Sequence, residues 1–228
     1  MNAASFQGGA ISPGEIITIF ATDAGPPGQS FGFIDPIDGR LGSQLEGVSV
    51  AFSGTPAPLF FVNETQINAQ VPYSADPGGI SLVTITRDGQ SSEAVAFHIR
   101  GETPAIFMGA GTQAAALNSD SSVNDASRPA FPGETVAVFG TGQGRISPSL
   151  ETGQLAGGPF DLSFIDATVS ATVGGRPAPV SFAGMAPGLV GLFQANLVIP
   201  GGTPAGAIEL NISIGGSGTQ PGVTLSVK

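Results

Sequence analysis

One pattern runs twice, in the same order, through this chain of 228 residues. Pro13-Gly14-Glu15-Ile16-Ile17-Thr18-Ile19-Phe20 returns as Pro132-Gly133-Glu134-Thr135-Val136-Ala137-Val138-Phe139. Ser53-Gly54-Thr55-Pro56-Ala57-Pro58 returns as Gly174-Gly175-Arg176-Pro177-Ala178-Pro179, and Gln66-Ile67-Asn68-Ala69-Gln70-Val71-Pro72 as Gln194-Ala195-Asn196-Leu197-Val198-Ile199-Pro200. Three blocks in fixed order mark a duplicated structural unit. Its length, roughly 100 residues, is that of a self-sufficient domain and far exceeds a solenoid repeat. The copies part near Arg100-Gly101-Glu102-Thr103-Pro104, where a strand over 95–99 runs into a charged, proline-stopped segment. Two domains are therefore expected, at residues 1–101 and 102–228, on a linker too short to leave them freely jointed.

Within each copy the apolar residues alternate with period two, as strands with one buried face require. Val48, Val50 and Phe52 alternate with Ser49 and Ala51; Val169, Ala171 and Val173 alternate with Ser170 and Thr172. Ile67, Ala69 and Val71 predict an inward face, leaving Gln66, Asn68 and Gln70 outward; Ala195, Leu197 and Ile199 repeat this against Gln194 and Asn196. The runs 16–21 and 59–62 are apolar on both faces and suit strands covered on both sides. Phe20, Phe52, Phe97, Phe139 and Phe182 fall within strand patterns and are expected in the cores. Turn signals such as Asp88-Gly89 and Gly215-Gly216 separate short strands, so the fold class is all-β, with sandwiches the expected architecture. Each copy also carries an insertion after its first strand, at 23–47 and 140–167, long enough to be functional or mobile.

Composition closes off several functions. A net charge of −10, with six arginines set singly and one lysine, repels phosphate backbones and anionic membrane surfaces. The chain has no cysteine, hence no disulfide and no thiolate chemistry. No apolar run approaches the ~18 residues of a membrane span. Thirty-five glycines and 19 prolines fit many turns, while 41% hydrophobic content argues for a packed protein. A surface of Ser, Thr, Asn, Gln and Gly has the look of secreted proteins. Met1 to Ser5 shows neither the basic stretch nor the apolar core of a signal peptide, so an extracellular chain would be a mature or excised portion.

Read in order, each half resembles an IPT/TIG domain, a compact immunoglobulin-like sandwich. The first supplies a Pro13-Gly14 start, a hydrophobic strand over 16–22, Gly54-Thr55-Pro56-Ala57, the strand 65–72 and Gly78-Gly79. The second supplies Pro132-Gly133, 136–141, Gly175-Arg176-Pro177-Ala178 and 194–200. The tandem is similar to the uncharacterised Solibacter-type C-terminal domain family through Asn2-Ala3-Ala4-Ser5-Phe6, Gln113-Ala114-Ala115-Ala116-Leu117-Asn118 and Ala186-Pro187-Gly188-Leu189-Val190-Gly191. These resemblances imply two tandem immunoglobulin-like sandwiches forming a C-terminal appendage of a large secreted or surface-exposed bacterial protein. They carry over no catalytic residue.

His98 is the only histidine, so a catalytic triad could use no other and a multi-histidine metal site is excluded. Alternation puts it on the polar face of its strand, opposite Val95, Phe97 and Ile99, and Ser226 fills its place in the second copy. Asn118, Asp120, Asn124 and Asp125 offer oxygens at the spacing a hard cation prefers, which makes calcium the one cofactor to weigh. The segment departs from the EF-hand loop at Val123, where glycine is needed, and at Pro129, where a glutamate belongs. A loop of Asx turns is the competing reading. Asp35, Asp38, Glu46, Glu151, Asp161 and Asp166 are scattered carboxylates that the counterpart loops do not share, against a paired hydrolytic site. With no Trp and one Tyr there is no obvious sugar-stacking platform. Phe31 and Phe33, in a Gly-rich loop, are the candidates for a partner anchor or a cap on the sandwich. Lys228, at the end of the chain, is no core lysine for an isopeptide cross-link. The expectation is a non-enzymatic extracellular structural or interaction module with a protein or cell-surface polysaccharide partner. A carbohydrate- or surface-binding module helped by calcium, and a self-assembling subunit pairing through strand edges, are the alternatives.

Overall fold

The computed structural model describes residues 1–158 and 160–228, and among these every regular element is a strand. The first half contains β1 (Ile16–Phe20), β2 (Ser30–Phe31), β3 (Gln44–Leu45), β4 (Val48–Phe52), β5 (Thr55–Ala57), β6 (Leu59–Val62), β7 (Gln66–Gln70), β8 (Ile80–Arg87), β9 (Gln90–Ser91) and β10 (Val95–His98). One sheet has the order β1-β7-β6-β2; the other is β10-β8-β4-β3, with β5 on β4 and β9 on β8. The second half begins with two extra strands, β11 (Ala105–Ile106) and β12 (Ala116–Leu117), and continues with β13 (Thr135–Thr141), β14 (Ile146–Ser147), β15 (Phe164–Ile165) and β16 (Val169–Val173). It closes with β17 (Arg176–Ala178), β18 (Val180–Met185), β19 (Phe193–Val198), β20 (Gly206–Ile214), β21 (Ser217–Gly218) and β22 (Thr224–Val227). Its sheets run β11-β13-β19-β18-β15-β14, with β12 on β13, and β17-β16-β20-β21, with β22 on β20. The protein is thus a tandem of two immunoglobulin-like β-sandwiches, as expected.

The duplication holds residue by residue. Ile17 pairs with Ala69 and Ile19 with Ile67 in one half; Val136 pairs with Leu197 and Val138 with Ala195 in the other. A β-bulge interrupts β6 between Leu59 and Phe61, and the same bulge interrupts β18 between Val180 and Phe182. The hairpin joining β4 to β5 turns on Ser53-Gly54 at φ 48° and 85°, and its counterpart on Gly174-Gly175 at 59° and 71°. Both central residues have positive φ, the geometry that matches the twist of the flanking strands and that glycine adopts without strain.

Two apolar cores result. One draws on Ile17, Val50, Leu59, Ile67 and Ala69; the other on Val136, Val138, Ala195, Leu197 and Ile212. Every core residue of the first lies between positions 11 and 99, and of the second between 106 and 227. The predicted inward faces of β7 and β19 are buried throughout. Two expectations need correction. Phe20, expected in the core, is 54% exposed, because Ile17 and Ile19 take the inward positions of β1 and leave Phe20 on its outward face. Gln70, expected on a solvated face, is buried, because the second half lies against it.

Candidate functional site

Most of the polar residues buried most completely, Ser12, Glu15, Thr141 and Gln143 among them, gather where the halves meet. Each half opens on a Pro-Gly-Glu turn of one design. The glycine sits at positive φ, 76° at Gly14 and 91° at Gly133, and the glutamate folds back so that Oε2 accepts the N–H three residues earlier. These bonds are Ser12 N–H to Glu15 at 2.7 Å and Phe131 N–H to Glu134 at 2.9 Å. Recurrence of glutamate after Pro-Gly in both copies was the sequence signal for this role.

The second half then encloses only one of the two turns. Thr103 Oγ1 donates to Glu15 Oε2 at 2.6 Å, and Glu15 Oε1 is buried without a partner. Burial pushes the Glu15 carboxyl up to about 7, against the opposing pull of the Thr103 and Ser12 hydrogen bonds. Asn2 spans the same seam, its Nδ2 donating to Thr103 O at 3.1 Å while its Oδ1 accepts Ala4 N–H. Next along β1, the Ile16 N–H donates to Thr141 Oγ1 at 2.8 Å, and that hydroxyl donates to Gly191 O at 3.0 Å. Gln70 closes the row, accepting Gly153 N–H at 2.7 Å. Tyr73 reaches across to Gln143 and Met185, beside a small apolar cluster of Ile146, Ala156 and Met185. Its phenol is pushed well above its ordinary range by burial.

The two insertions meet in this joint. Leu41 N–H donates to Gly153 O at 2.8 Å and Leu155 N–H to Gly39 O at 3.0 Å, with Arg40 bridged to Gln154. Gly153 has φ 83°, and a Cβ there would come within 2.9 Å of Leu41 O, so glycine is required. Part of each insertion thus clamps one half to the other, a role that no local sequence pattern signals.

Glu15 does not line the polar cleft of about 530 Å³ between Gln7–Ala10 and Ser217–Pro221. The chemistry-bearing candidates lie elsewhere and apart. His98 is exposed, but its face is not polar as expected: Ile80 stands directly across from it, and exposed Leu82 shares the same side of β8. Asp35 and Asp38 each accept a backbone N–H two residues on, from Ile37 and Arg40.

The four oxygen-bearing residues proposed for calcium are engaged in their own loop. Asn124 is fully buried; its Oδ1 accepts Gln113 Nε2 and Ser226 N–H, while its Nδ2 donates to Asn118 Oδ1 and Ser226 O. Asp120 Oδ1 accepts the Ser122 hydroxyl and N–H, and Asp125 Oδ1 accepts the hydroxyl and N–H of Ser127. These bonds hold both carboxyls below the usual range. Among the described residues no three or more His, Asp or Glu side chains converge in a metal-binding group.

Phe31 and Phe33 do not cap the sandwich. They are 68% and 73% exposed, with the Phe31 ring 5.3 Å from that of Phe61 and Ile37 projecting from the same loop. No helix among the described residues is long and apolar enough to cross a membrane. No curated protein matches the chain. The family model of the IPT/TIG domain matches residues 6–99, so the first half carries the pattern of a family whose members are generally non-catalytic modules of structure and protein interaction.

Proposed function

We propose that this chain is a non-catalytic extracellular protein-interaction module, the C-terminal appendage of a larger secreted or surface-exposed bacterial protein. The exposed pair Phe31 and Phe33 carries this reading. Aromatic side chains standing clear of a loop are the usual anchors of protein interfaces. The loop has a fixed base: Gly32 N–H donates to Phe60 O and Leu41 N–H to Gly153 O, so the aromatics are presented with little ordering left to do. The IPT/TIG match supports the interaction role, and the resemblance of the whole tandem to the Solibacter-type family supports the appendage and its bacterial, extracellular setting.

The test compares the purified chain with a Phe31→Ser/Phe33→Ser double variant. Both substitutions are at exposed positions, so the variant should melt as the parent does. The parent should retain a saturable protein ligand from a cell-surface extract that the variant loses, and neither should turn over substrates in a broad hydrolase screen. Equal retention by the variant, or turnover that a point substitution abolishes, would overturn the proposal.

A further inference from the structure

The two sandwiches are closed differently at the rim that carries Phe31 and Phe33. The sheet β1-β7-β6-β2 stops at β2, whereas its counterpart continues past β15, the equivalent of β2, to β14. Phe164 of β15 pairs with Gly184, the equivalent of Asn63 in the repeat, while Ser30 pairs with Val62. Gln29 therefore falls in the place of Phe164, and Phe31 in the place of Asp166. In the second half both positions are bonded from outside: Ser147 pairs with Phe164, and Asp166 N–H donates to Arg145 O at 3.1 Å.

In the first half the same positions are bare. Gly32 N–H donates to Phe60 O, so the alternation of an antiparallel ladder turns the N–H and C=O of Phe31 away from β6. Among the described residues no backbone group meets those of Phe31 or Gln29. The vacancy is internal to the chain. Residues 21–29 join β1 to β2 across the end of the β6–β7 hairpin, where Ala21 N–H donates to Thr65 O and Ala24 N–H to Glu64 O. The corresponding stretch, 142–163, is long enough to lay down β14 on the way. The side chains change with the edge. Asp166 is exposed beside the filled edge, whereas Phe31 and Phe33 stand exposed beside the open one. Residues 21–41 carry Asp23, Asp35 and Asp38 against the single cation Arg40.

We infer that the open edge of β2 takes up one short extended segment of a partner protein, antiparallel to β2, with a basic residue opposite Phe31 and an aliphatic residue next to it. The inference rests on the reading of Phe31 and Phe33 as a protein-interaction surface and names what that surface binds. The second half supplies the template: Arg145-Ile146-Ser147 occupies the same edge of β15, with Arg145 in the position that faces Phe31 in the first half. The basic partner residue accepts the Phe31 N–H and returns its own N–H to the Phe31 C=O, as edge groups do in strand addition. Its cation lies over the exposed Phe31 ring, with Asp35 close along the chain. The net charge of −10 draws in a basic segment and repels an acidic one.

The test uses the full chain and a synthetic peptide of the sequence 143–149, blocked at both ends and read by the amide NMR signal of Phe31. Rising peptide should move that signal to saturation. Two altered peptides probe the mode of binding without touching the fold. One is N-methylated at the arginine, which removes the N–H offered to the Phe31 C=O; the other has glutamate in place of arginine. Each should weaken binding at least tenfold. On the protein, Gln29→Pro removes the second outward N–H at an edge position where proline is tolerated, and keeps both phenylalanines. It should also weaken binding at least tenfold. No saturable movement of the signal, or affinity unchanged by N-methylation, by the glutamate or by Gln29→Pro in a folded protein, would overturn the inference. Movement that follows protein concentration alone would assign the edge to a second copy and overturn it equally. The interaction reading fails separately, when Phe31→Ser/Phe33→Ser keeps its extract ligand. Loss of that ligand by the double variant but not by Gln29→Pro would overturn strand addition alone.

Discussion

Glu15 makes the stability of the protein fall as the solution becomes less acidic, and Glu15→Gln isolates that effect. In the unfolded chain its carboxyl titrates near the ordinary value of 4.5; in the folded protein it titrates at about 7. Between those values the folded state keeps a proton that the unfolded state has lost. The unfolded state binds fewer protons there, so unfolding free energy declines as pH rises. The decline starts near pH 4.5, is complete a little above 7, and vanishes below 4.5, where both states are protonated. At about 1.4 kcal/mol per pH unit it amounts to about 3 kcal/mol. Glutamine keeps an oxygen to accept the Ser12 N–H and Thr103 hydroxyl and does not titrate. Urea melts of both proteins from pH 4 to 8.5 give two curves of stability against pH, in which the contributions of all other groups cancel by subtraction. The difference should be flat in acid and then move by about 3 kcal/mol in favour of the glutamine variant. Parallel curves would refute the argument and mean that Glu15 is ionised in the folded protein at neutral pH.

Two further expectations concern the core and the joint. Leu197→Ala should cost about 2–5 kcal/mol in denaturant melts, since the side chain is wholly buried. Asn196→Ala, one residue away on the other face, loses only the bond from Gln194 Nε2 and should cost less than about 1.5 kcal/mol; equal losses would contradict the register of β19. Thr141→Val removes the hydroxyl that accepts Ile16 N–H and donates to Gly191 O. Leaving those buried groups unpaired should cost about 1–3 kcal/mol and speed amide exchange at Ile16, and an unchanged Ile16 rate would argue that the joint is held elsewhere.

What the sequence showed and what it hid divide along a physical line. Alternation in 66–71 and 194–199 exposed the inward faces because burial within a sandwich acts on every second residue of one strand. Docking of one half on the other leaves no such period. It acts on single residues brought together from distant positions, which is why Gln70 read as solvated and Gly153 as an ordinary loop glycine. Phe20 failed for the converse reason: its strand was read correctly, but not the face, since Ile17 and Ile19 are the residues of β1 that turn inward. The same distinction covers Glu15 and Glu134. Local sequence sets the identical fold-back of both, while only the neighbouring half makes one of them buried. For the candidate surface, the Gly-rich setting marked out Phe31 and Phe33, yet whether they covered the core depended on β2 pairing with β6 at the rim, which no local signal announces.

The separation of the two cores has a consequence for how the protein is made. Neither core takes a side chain from the other half, so residues 11–99 can complete their packing while the rest of the chain is still being synthesised. Until the second half arrives, Glu15 and Gln70 remain in contact with water and the first sandwich has no penalty to bear for them. Their dehydration belongs to the last step of assembly, when Thr103, Thr141 and Gly153 come into place. A nascent chain therefore meets its pH sensitivity only at completion. An acidic compartment would hasten the closing of the joint without altering the folding of either half.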